Sequence, residues 1–147
     1  MNTWDRIKSI QEKLVETLEA ADYGAITVNE VVVGSKQKSS KFRPPLLWVV
    51  PMKSPIDDTS FALNETWKLK FLILGVIKTY EPEEGKEKAE ELALRASASL
   101  LADRTLGGLD IDLVRTGWIP GHEKVTDDAA MFGAGVEIEI RFETREA

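Results

Sequence analysis

His122 is the only histidine in a chain of 147 residues, and it follows Pro120 and Gly121 in a stretch predicted to be a loop. Zinc would need further nitrogen or sulfur ligands at close spacing, and the chain has neither a second histidine nor any cysteine. Asp110 and Asp112 stand two residues apart, which puts both carboxylates on one face of a strand, and Asp127 with Asp128 forms a second acidic pair. Neither pair has the spacing of a calcium loop or a further ligand beside it, so both read as solvated strand-edge and turn acids. Leu106-Gly107-Gly108 follows a helix instead of opening one and lacks the Lys-Ser/Thr tail of a phosphate loop; turn chemistry accounts for it. No catalytic, cofactor-binding or metal-ligating constellation emerges. The expectation is a protein that is not an enzyme and takes no cofactor.

Charge patterning points instead to contact surfaces. Lys36, Lys38, Lys41 and Arg43 carry four positive charges with no acid among them, in a segment where Gly34, Ser35, Ser39, Ser40, Pro44 and Pro45 disfavour regular structure. This predicts a basic loop, serving either as a solubilising tip or as a contact. As a contact, it would reach an acidic groove on a protein or line passing DNA without reading bases. Six glutamates against two lysines between Glu81 and Glu91 form an acidic helix face, with Glu83, Glu84, Glu87 and Glu91 as the candidates to meet a basic neighbour. The net charge of −6 argues against nucleic-acid binding over the whole surface.

The elements that position these residues follow from hydrophobic period. Trp4, Ile7, Ile10, Leu14, Leu18 and Ala21 predict an amphipathic helix from Thr3 to Ala21, capped by Asn2 or Thr3 and ended by Gly24. A second helix is predicted from Pro82 to Asp103, roughly 33 Å long. Its small run Ala96-Ser97-Ala98-Ser99 would let it lie close to a sheet, and Gly107 and Gly108 would turn the chain out of it. Strands are predicted at Ile26 to Val33, at Leu46 to Val50 before Pro51, and at Trp67 to Tyr80. Two more follow at Leu109 to Ile119 and Val136 to Glu143, with turn-rich connections from Met52 to Asn64 and from Pro120 to Ala130. The Trp67 strand becomes apolar on both faces toward its end, which predicts a central strand covered on two sides by a second helix layer or a partner. The order fits a single α+β domain over residues 1–147, a mostly antiparallel or mixed β-sheet with two helices packed on one face. No apolar run approaches bilayer length, and membrane contact is not expected.

The second half of the chain resembles the tail-terminator proteins of long-tailed bacteriophages, the lambda type included. The resemblance lies in the Trp67 strand, the acidic helix, Leu101-Ala102-Asp103-Arg104-Thr105-Leu106-Gly107-Gly108, a strand ending near Trp118, Asp127-Asp128, and a final alternating strand. Pro44-Pro45 leading into Leu46 to Val50 fits the same pattern, and the lysine-rich loop departs from it. The resemblance implies a homohexameric ring on the end of the tail tube, a structural virion protein made in the host cytoplasm. Such a ring would stop tube polymerisation and offer the surface for head-tail joining. Its implied partners are copies of itself, the tail tube protein and a head-tail connector protein, with non-specific DNA contact in the ring lumen. The acidic helix face and the basic loop are candidates for pairing between subunits. The alternatives are another connector or neck protein of the virion, a basic-loop nucleic-acid binder, and a small ligand-binding protein or enzyme using Asp110, Asp112 and His122.

Overall fold

The computed structural model describes residues 2–34, 43–54, 56–59, 64–125 and 130–145. Helix α1 (Thr3–Ala20) opens on Asn2, whose side chain accepts the Asp5 N–H at 2.8 Å and so satisfies one of the amides a helix start leaves open. Ile10, Leu14 and Leu18, one turn apart, are its buried stripe. The helix ends without the predicted glycine cap. Ala21 is already extended, and Gly24, at φ 65, belongs to a separate turn in which its N–H donates to the Asp22 carboxylate at 2.8 Å.

Of the predicted Ile26 to Val33 strand, only β1 (Glu30–Val33) joins the sheet, parallel to β2 (Leu46–Met52). The approach to it is pinned by Asn29, which donates through Nδ2 to the carbonyls of Arg43 (3.0 Å) and Pro44 (3.2 Å) and through its backbone to Pro45 (2.8 Å). Pro51 does not stop β2. Val49 turns its carbonyl toward β1, where it accepts the Gly34 N–H at 2.9 Å. Pro51, two residues on, faces the same side beyond the end of β1, where no ladder donor is required. The predicted turn-rich connection after Met52 contains a short strand, β3 (Ile56–Thr59), which pairs with the start of β4 (Asn64–Lys78); Asp57 and Asp58 hide it from propensity.

After α2 (Pro82–Leu101) come β5 (Asp112–Val125) and β6 (Ala130–Arg145). The mixed sheet runs β1-β2-β4-β6-β5, with β3 beside β2 against β4. The long strand is central, as its sequence predicts. On one face Leu69, Phe71, Ile73 and Ile77 of β4 join Val136, Ile138, Ile140 and Phe142 of β6, and both helices pack there in a single core. The fold is thus α+β, with both helices on one side of the sheet. The other face carries Lys68 and Lys70, then Leu72 and Leu74, half-buried, and Val76, 8% exposed; among the described residues, both helices pack on the opposite face.

The close approach of α2 to the sheet includes Ala96 and Ser97 of the predicted small run, both fully buried, and extends toward the start of the helix. Gly85, Ala89, Ala93 and Ala96 are buried in a line, whereas Ala98 is exposed. Beneath them a Cβ on Gly75 would stand 2.9 Å from the Ala89 carbonyl oxygen, and one on Gly85 would stand 2.3 Å from the Phe132 ring. The helix ends at Leu101, two residues short of Asp103. The Asp103 carboxylate accepts from Thr105 N–H (3.0 Å), Thr105 Oγ1 (2.6 Å) and Gly107 N–H (2.8 Å), holding a turn in which Leu106, Gly107 and Gly108 all take positive φ. These hydrogen bonds hold the Asp103 carboxyl below its ordinary value, the Thr105 hydroxyl foremost.

Strand β5 runs through Pro120, which the sequence places in a loop. It is an edge strand, with register shifts between Arg115 and Gly117 and between Ile119 and His122, and an edge admits proline and bulges at small cost. His122 is accordingly a strand residue, paired opposite Gly133. The predicted alternation of the last strand holds, since Val136, Ile138, Ile140 and Phe142 are buried. Glu139, on the opposite face, is only 6% exposed, with Oε2 2.7 Å from Arg141 Nε.

Candidate subunit interface

The four predicted glutamates Glu83, Glu84, Glu87 and Glu91 are all exposed on α2. Two of them are partly neutralised by their own helix: Glu84 meets Lys88 at 2.6 Å and Glu91 meets Arg95 at 3.0 Å, each four residues apart. Glu83 and Glu87 make no ion pair among the described residues. Glu90 turns sideways, its Oε2 accepting the Gly121 N–H at 3.1 Å, and ties α2 to the edge strand. Gly121 suits that approach because a Cβ there would lie 2.8 Å from the Lys86 carbonyl oxygen.

Of the basic candidates, Lys36, Lys38 and Lys41 lie outside the described residues. Arg43 is exposed, its N–H 3.5 Å from Glu30 Oε1. Sheet order sets the relation between the two charged regions. Helix α2 packs over β4, β6 and β5, while Arg43 stands beside β1 at the opposite edge. Within one subunit the acidic helix and Arg43 therefore stand over different parts of the sheet.

Between α2 and β5 lies an apolar groove of about 310 Å³, lined by Leu94, Arg115, Gly117, Trp118 and Val136. Leu94 and Trp118 are each 44% exposed. Glu87, Glu90, Glu91, Leu94, Arg95 and Ala98 line a shallower hollow of about 560 Å³ on the adjoining helix surface. Sequence reasoning passed over the groove, although it left two signals. Leu94 falls out of phase with the buried Leu92, Ala96 and Leu100, and Trp118-Ile119 places two large apolar residues in succession on a strand whose faces alternate.

Asp110, Asp112 and His122 are not brought together. Asp112 pairs opposite Arg141 and His122 opposite Gly133, which puts them roughly 26 Å apart at about 3.3 Å per residue. Asp110 precedes the strand and offers its carbonyl to Arg6 Nη2 at 2.8 Å. Asp127 and Asp128 lie outside the described residues. Among the described residues no three His, Asp or Glu side chains are grouped to hold a metal ion, and no helix is long and apolar enough to cross a membrane. A second hollow, about 330 Å³, lies between the end of α1 and the approach to β1. Tyr23 on its wall donates its hydroxyl to the Leu18 carbonyl, and burial pushes that hydroxyl up to about 12, so it stays protonated. Neither the protein-family models nor the curated protein sequences contain a match to this chain.

Proposed function

We propose that this protein is a ring-forming structural subunit of a bacteriophage virion, of the tail-terminator kind. A homohexamer would cap the tail tube, end polymerisation of the tube protein and present a surface to the head-tail connector. The observation that carries this reading is the presence of two unlike regions on one subunit: the acidic α2, packed over β4, β6 and β5 with Leu94 and Trp118 exposed, and β1 with Arg43 at the far edge of the sheet. A cyclic assembly is built from head-to-tail contacts, in which one patch of each subunit meets a different patch of the next. Two different patches on one subunit supply that arrangement, whereas a two-fold dimer would need one self-complementary patch. The resemblance of the acidic helix, the Leu101 to Gly108 turn and the final alternating strand to tail terminators supplies the identity of the ring.

Native mass measurement on the purified chain, followed by its addition to polymerising tail tube protein, tests the proposal. The expected result is a closed ring of six that halts tube growth at substoichiometric amounts. A ring that leaves elongation untouched would assign the chain to another connector position in the virion, and a monomer at all working concentrations would reject ring formation altogether.

A further inference from the structure

We draw no further inference here: the strongest candidate, the apolar groove between α2 and β5 where Leu94 and Trp118 stand exposed, carries nothing, because nothing in the structure shows what covers it.

Discussion

At the scale of single residues, glycine and aspartate perform the tasks that decide the local geometry. Gly75 is required by the distance between layers, since the atom its replacement would add meets the backbone of α2, not a side chain that could swing away. Gly75→Ala therefore pushes the helix off the sheet and is expected to cost about 1–3 kcal/mol, read as a lower urea midpoint with an unchanged slope. Asp103 acts through its charge. Its carboxyl is held below the ordinary value by Thr105 and Gly107. The stabilisation it gives is thus complete above the ordinary carboxylate range and is lost as pH falls through the lowered folded value. Asp103→Asn should make the chain less stable at pH 7, and the gap between the two proteins should close in acid. A gap that stays constant from pH 7 to pH 2 would show that the carboxylate's charge is immaterial to the turn.

Among elements, α1 is held by its buried stripe and, through hydrogen bonds, by Arg6. Arg6 donates to the carbonyls of Glu143 (2.6 Å) and Asp110 (2.8 Å) and lies 4.8 Å over the Phe142 ring, so it joins the helix to the end of β6 and to the loop before β5. Because hydrogen bonds from a charged group exceed neutral ones, Arg6→Ala is expected to cost about 1–2 kcal/mol at this partly exposed site. Arg6→Lys should recover only part of that, since an ammonium cannot reproduce the forked geometry. Amide exchange along α1 should quicken in both variants, more in the alanine one. Both helices, the central strand and the last strand were legible in the sequence because each buries one continuous periodic face. β3, and the passage of β2 and β5 through proline, were not, because an edge position suspends the rules that make Asp and Pro strand breakers, and edge position is a property of the sheet order. The groove escaped for a related reason: Leu94 and Trp118 lie far apart in sequence and become neighbours only through the packing of α2 on β6 and β5. The acidic face was legible residue by residue, but its pairing with Lys88 and Arg95 on the same helix makes it weaker than the count of glutamates suggests.

At the scale of the whole molecule, the proposed ring would use these charges for association more than for folding. In that ring, the acidic face of α2 on one subunit would meet the basic segment of the next. Replacing Lys36, Lys38, Lys41 and Arg43 together by Ser should then leave the melting temperature of the dilute monomer nearly unchanged. At low salt the same change should raise the dissociation constant between subunits tenfold or more, which is about 1.4 kcal/mol per contact and within what several solvent-exposed pairs supply together. Salt gives the discriminating measurement. Raising ionic strength from about 0.01 M to 1 M shortens the screening length from about 30 Å to about 3 Å, so wild-type association should weaken along that series while the variant, already without these charges, changes little. If both proteins lose affinity with the same salt dependence, the basic segment is a solubilising tip and takes no part in the contact between subunits.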